Sequence, residues 1–513
     1  MYREKHTFSL PQLLKQTADQ VPNKQALMDE EGEVTYAELY QRVALLADAL
    51  IKNGLQAGDR VAVLFPNGID YVTAHYAAMA AGGISVPIDH FITSRNLEFQ
   101  VEDTGARFLL FDRIQASKIK ETTLPEFKLM VTNGETGGFN SPVRSLESIL
   151  AASPDTDLPD VTSDQRAMIL YTTGTTGRQK GVVLTHKNLV ISAMNIMERC
   201  EVTSDDCELT ALPQTRLYGL AHVHGYLSLG ARMMLVKNMI LPQKVLPLIR
   251  KIGATSFPHV PTAFTILLDK YPKLLAEYGH ELRYILMCSA ALKPERYHQM
   301  KQLLPNVRLF HSYGLSEAAR STIIELDKHP DKITSVGTPT FSTTVKIVKD
   351  DEVQPTGVEG EVVIEGPIVT SGYWNLPEEN ARVLTKHGFH TGDLGMIDEE
   401  GLLHLVGRIK DIINVSGLKV NPMEIEDVLV KVPEVKDAAV VGFPDEKGSF
   451  NEKIVAFVVT ENNQKPDVQA LREFCLKELE PFKIPLHFER IEAIPRTVSG
   501  KLQRVKLREG YSF

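Results

Sequence analysis

From Ala167 the chain runs through Met168, Ile169, Leu170 and Tyr171, then passes directly into Thr172-Thr173-Gly174-Thr175-Thr176-Gly177-Arg178-Gln179-Lys180-Gly181. A short apolar run that stops at a glycine-rich turn reads as a buried strand feeding a loop. The three glycines let the backbone turn tightly toward a ligand. The four threonines and exposed amides supply donors for phosphate oxygens, and Lys180 adds positive charge. The loop therefore suits a polyphosphate. It lacks the Gly-Lys-Ser/Thr ending of a Walker loop, so ordinary P-loop chemistry is not indicated.

This strand is one of a series. Val61–Phe65, Arg107–Phe111, Arg232–Val236, Tyr284–Met287 and Arg308–Phe310 are short apolar runs near segments of helical spacing such as Glu38–Ile51. Such alternation predicts parallel strands joined by crossover helices, an α/β fold. Beyond about residue 340 the pattern shifts to shorter extended segments, Thr344–Val348, Glu361–Glu365 and Leu402–Val406, with glycines between them, which predicts a β-rich part. The last hundred or so residues read as a compact α+β unit: helix Pro422–Lys431, strands Asp437–Gly442 and Lys453–Thr460, helix Asp467–Leu479 and strand His487–Ile491. The expected division is a large domain over 1–409 and a small one over 410–513.

Composition narrows the function. With 513 residues the chain can form several cores, and a formal net charge of −9 gives no general attraction for nucleic acid. The longest uncharged stretch, Tyr71 to Ile88, contains His75, Gly82-Gly83 and Pro87, so it predicts a buried helix and strand rather than a transmembrane segment. Met1-Tyr2-Arg3-Glu4-Lys5-His6 lacks the apolar core of a secretory signal, which makes a cytoplasmic location the expectation. Cys200, Cys207, Cys288 and Cys475 show no paired CxxC spacing and are expected to be free thiols.

Together with the Gly/Thr loop, six further elements occur in order: Tyr313-Gly314-Leu315-Ser316-Glu317, Gly360-Glu361, Gly372-Tyr373, Thr391-Gly392-Asp393, Gly407-Arg408-Ile409-Lys410-Asp411 and Pro495-Arg496-Thr497-Val498-Ser499-Gly500-Lys501. In these motifs the chain resembles, over nearly its whole length, the adenylate-forming superfamily of AMP-forming acyl-CoA synthetases, peptide-synthetase adenylation domains and luciferases. The resemblance implies a large adenylation domain and a small mobile lid, with ATP, Mg²⁺ and coenzyme A as cofactors and a small carboxylic acid as substrate. Implied roles are Thr172 to Gly177 and Lys180 at the phosphates, Tyr313 stacking on adenine, and Glu317 holding Mg²⁺. An aromatic ring and an acceptor-only carboxylate suit those two tasks physically. Ser316 stands where threonine is usual and keeps the hydroxyl. Asp393 offers two acceptors to a ribose diol and Arg408 a fork of donors to ribose or phosphate. The resemblance makes Lys501 the cation that stabilises charge as the acid attacks the α-phosphate, Lys410 the hinge, and Gly417 part of the thiol tunnel.

Several positions depart from the family pattern. Gln179 replaces the usual proline of the phosphate loop. Cys288 and Ala291 alter the run Met287 to Leu292, containing Ser289, that helps shape the acyl pocket in relatives. Arg216 stands where a histidine is common, in the segment leading to Tyr218; with Ser289 and Gly314 these are the expected pocket residues. An arginine there must face solvent, pair with a protein carboxylate or meet an anion on a ligand. His222 and His224 lack an evident third metal ligand and are expected to make packing or polar contacts. The reading is an ATP-dependent acid:thiol ligase using coenzyme A. Alternatives are transfer to the phosphopantetheine of an acyl-carrier protein, luciferase-like oxidation of the adenylate, and a non-catalytic nucleotide-binding module.

Overall fold

The computed structural model describes residues 2–153, 157–173, 179–289, 292–415, 418–444, 452–460, 464–497, 500 and 502–511, with the side chain of Thr173 outside the described set. It is a mixed α/β protein with a large N-terminal and a small C-terminal domain. In the first sheet the strands run in space as Val143–Ser145, Leu129–Thr132, Phe108–Phe111, Arg60–Leu64, Ile84–Pro87, Arg166–Thr173 and Gln179–Thr185. All neighbours are parallel except the last pair. That pair is an antiparallel hairpin with Tyr171 opposite Gly181 and Thr172 opposite Lys180, so the Gly/Thr loop is its connection. The uncharged stretch forms the buried helix Ile69–Ala80 and the strand Ile84–Pro87. Among the described residues no helix is long and apolar enough to cross a membrane.

In the second sheet Tyr284–Cys288 and Arg308–Tyr313 pair in parallel, and Thr322–Glu325 and Ser335–Pro339 follow antiparallel. Ser335–Pro339 also pairs with Leu403–Arg408, which pairs with Gly388–Ile397, so the β-rich part continues the α/β sheet. The two large sheets are stitched by residues 370–374. There Trp374 N–H donates to Gly181 O at 2.7 Å and Val183 N–H to Gly372 O at 3.0 Å, covering the edge of Gln179–Thr185.

The C-terminal domain has its own core, with Ile413, Ile425, Leu429, Val440, Ala456 and Leu471 buried together. Its sheet joins Val435–Pro444, Glu452–Thr460 and His487–Arg490, packed by helices Pro422–Leu429 and Val468–Glu478. All four cysteines are buried free thiols.

Candidate active site

The loop after Tyr313 carries the first cluster. Tyr313 ends a strand at the carboxyl edge of the parallel pair, the edge where open α/β sheets bind ligands. Its hydroxyl donates to Asp393 Oδ2 at 2.7 Å, and Asp393 Oδ1 accepts from Arg408 Nε at 2.6 Å. Asp393 and Arg408 face each other across neighbouring antiparallel strands, so strand register positions this pair. Burial, with the Asp393 charge adding to it, raises the Tyr313 phenol well above its ordinary range. Both Asp393 oxygens already carry a protein donor, and each keeps a lone pair for a further one.

Four residues along the same loop, Glu317 is buried and accepts from Tyr373 Oη at 2.8 Å. The Lys180 ammonium lies 5.1 Å from the centre of the Tyr373 ring and pairs with Glu379 Oε1 at 2.5 Å. Tyr373 thus stands between Lys180 and Glu317. Asn380 fixes it, accepting from Tyr373 N at 2.6 Å and donating to Tyr373 O at 3.0 Å. Sequence reading quoted Gly372-Tyr373 as a motif but gave it no task; the tertiary contacts supply one.

Glu317 pairs with no basic side chain among the described residues, which suits it to a cation. No group of three or more His, Cys, Asp or Glu side chains forms a metal cage there among those residues. The Ser316 hydroxyl is half-buried with no protein partner among the described residues.

Gly314 has a steric reason to be glycine. A Cβ there would sit 2.5 Å from Arg320 N and 2.9 Å from Ala318 O, because the loop folds back on itself. Its role is backbone approach, and any contact with a substrate is a separate matter. Gln179, the substitute for proline, accepts from Gln100 Nε2 at 2.7 Å, tying the hairpin to helix Ser94–Thr104.

Arg216 takes the protein-carboxylate option. Its Nη2 pairs with Asp89 Oδ2 at 3.1 Å, and its side chain is 48% exposed. Tyr218 donates to Leu286 O at 2.8 Å and carries the Arg320 guanidinium over its ring at 4.6 Å. Ser289 follows the strand Tyr284–Cys288 with φ of +82°. His222 Nδ1 meets Glu208 at 2.8 Å, and His224 meets His75 at 3.2 Å, polar contacts as expected. Burial pushes His75 down to about 3, keeping it neutral.

Gly174, Thr175, Thr176, Gly177, Ala291, Gly417 and Lys501 lie outside the described residues, as does the Thr173 side chain. Gly500, at φ of +84°, is described: a Cβ there would meet Thr262 Cγ2 at 2.5 Å, so this part of the small domain touches the start of helix Pro261–Lys270. Lys410 is exposed in the short turn Ile409–Asp411, between the last strand of the β-rich part and Ile413 of the C-terminal core.

The sequence matches the AMP-binding enzyme family over residues 14–374 and the AMP-binding enzyme C-terminal domain over 424–501. The chain belongs to that family. It is 31% identical to an oxalate–CoA ligase of Arabidopsis thaliana, over 97% of this chain and 97% of that one. It is also 31% identical to a long-chain-fatty-acid–CoA ligase of Bacillus subtilis, over 98% and 94%. The solved structure of ATP-bound MatB from Rhodopseudomonas palustris superposes with a TM-score of 0.86 at 28% identity, covering 98% of this chain and 99% of that one.

Proposed function

We infer that the chain is an AMP-forming acid–CoA ligase. The observation that carries this reading is the loop from Tyr313 to Glu317, which meets the Asp393–Arg408 pair at one end and Tyr373 beside Lys180 at the other. One loop thereby joins a polar pair suited to a ribose with an ammonium suited to a polyphosphate and a carboxylate suited to its counter-cation. In the reaction a carboxylate oxygen attacks the α-phosphorus of ATP, the bond to the β-phosphate breaks and pyrophosphate leaves. The thiol of coenzyme A then attacks the acyl carbon, and AMP departs.

The residues divide the work as follows. Asp393 accepts from the ribose hydroxyls while Arg408, held by Asp393, presents its remaining guanidinium donors. Lys180 and the loop 174–178 bind the phosphates. Glu317 would hold Mg²⁺, which when bound supplies positive charge against the phosphate oxygens. Lys501 meets charge developing at the α-phosphate; the approach of Gly500 to Thr262 supports bringing it to this face. Domains of 1–409 and 410–513 pivoting at Lys410 would let one site serve both half-reactions, with Gly417 beside the thiol. The change of core between Leu405 and Ile413 supports that division.

The test is ATP–pyrophosphate exchange with fatty, aromatic, dicarboxylic and amino acids, followed by coenzyme A or a phosphopantetheinyl carrier protein. Acid-dependent exchange with acyl transfer to coenzyme A is expected. ATP binding with no exchange for any acid would reduce the chain to a nucleotide-binding module. The relatives' names leave the acid open, since oxalate carries two carboxylates and a fatty acid one.

A further inference from the structure

Arg320 is 3% exposed, yet among the described residues its Nε and Nη2 have no hydrogen-bond partner, and its Nη1 meets only the Cys288 thiol at 3.5 Å. No carboxylate pairs with it among the described residues. A guanidinium is always charged, and burying one without an anion is strongly unfavourable. The Tyr218 ring, 4.6 Å away, offsets part of that cost through its negative face but leaves the in-plane donors unused. Glu208, a buried carboxylate in the same region, meets His222 Nδ1 at 2.8 Å and accepts from Ser256 at 3.1 Å, both at Oε2, while its Oε1 has no partner among the described residues; it makes no pair with Arg320.

The backbone adds a second observation. Arg320 has φ of +63°, and Ser289, one residue beyond its Cys288 contact, has φ of +82°. Glycine would adopt either conformation at less cost, so the arginine stands here against its own backbone preference. The placement supplies a third. Arg320 is three residues past Glu317 on the same loop, its backbone touches Gly314, and its side chain reaches the carboxyl end of Tyr284–Cys288. An acid with its reacting carboxylate near the phosphates would have its other end close to this guanidinium.

We propose that Arg320 receives a second anionic group of the acid, so that the substrate is a dicarboxylate or an acid with an equivalent distal anion. The proposal rests on the ligase reading and narrows it to a substrate class. The Nε and Nη2 donors lie side by side on the guanidinium fork, the geometry that grips one carboxylate with two bonds. Tyr218 acts as a positioning residue, held by Leu286 O and holding the guanidinium in turn.

The test measures ATP–pyrophosphate exchange with diacids and monoacids of matched carbon skeleton: malonate and propionate, succinate and butyrate, glutarate and valerate, phthalate and benzoate. Wild type should favour at least one diacid over its partner by about ten- to a hundredfold, the scale of a charge-assisted contact. Arg320→Met should erase or invert that preference with the apparent KM for ATP unchanged, and Arg320→Lys should keep its direction at reduced size. Monoacids used as well as every matched diacid would overturn the proposal and leave the ligase reading intact. Equal losses for diacids and monoacids in Arg320→Met would also overturn it. Exchange with no acid at all would overturn both readings. Should Arg320→Met fail to fold, the wild-type panel and Arg320→Lys decide.

Discussion

The two ends of the loop 313–320 differ in how their charges are satisfied. At the Tyr313 end Asp393 holds Tyr313 and Arg408, and past Glu317's partner Tyr373 Lys180 is paired with Glu379, so these charged groups have protein partners before any ligand arrives. At the Arg320 end a buried cation has no carboxylate partner among the described residues, and its Nε and Nη2 are unused. The first arrangement is preorganised: its geometry is set by strand register and its role is to present remaining donors and acceptors. The second is incomplete, and an incomplete buried charge indicates the sign of the missing ligand. The contrast teaches that an unpaired group says more about substrate identity than a paired one does.

The contrast can be broken most severely at the step both ends serve. Lys501→Ala should slow adenylate formation roughly 10²–10³-fold, the scale for losing one preorganised donor. Thioester formation from supplied acyl-AMP should survive, as comparison of the half-reactions would reveal; equal losses in both would remove Lys501 from the adenylation step. Next in size, Asp393→Asn keeps the shape but removes the charge holding Arg408. It should lower kcat/KM for ATP by about ten- to a hundredfold and leave acid preference untouched. A shift in acid preference would mean that the two ends are not separable.

A smaller and selective loss is expected from Lys410→Pro, which fixes φ at the proposed pivot. Single-turnover measurements should find thioester formation slowed and adenylation spared; unimpaired transfer would take the hinge away from this position. The smallest effect belongs to Arg216→Met. This half-exposed pair with Asp89 is worth about 0–1 kcal/mol, so stability should change little and acid preference not at all. A swing toward uncharged acids in this variant would move the anion site from Arg320 to Arg216.

Much of the fold was legible because apolar period and turn residues are local properties. The expected strand Arg232–Val236 is observed as Arg232–Leu235, and the expected helix Pro422–Lys431 as Pro422–Leu429. The strand Gln179–Thr185 went unread, since its apolar part directly follows the glycine-rich motif that drew the reading of a loop. The motifs singled out Tyr313, Glu317 and Asp393 one by one, and the fold brings Tyr313 onto Asp393 and Tyr373 onto Glu317. Partnerships were not: Asp89 lies 127 positions from Arg216, and Glu379 lies 199 from Lys180. Arg320 could have been noticed as a lone cation after Ala318-Ala319, but that it has no carboxylate partner among the described residues is a property of the folded chain alone.

The central claim, AMP-forming activation followed by transfer to a thiol, is tested most directly by following ATP through one turnover. With an accepted acid and no coenzyme A, the account predicts pyrophosphate release and an enzyme-bound acyl-adenylate. Adding coenzyme A should then free AMP and acyl-CoA in equal amounts. ADP and inorganic phosphate as the nucleotide products, or AMP release indifferent to coenzyme A, would contradict it.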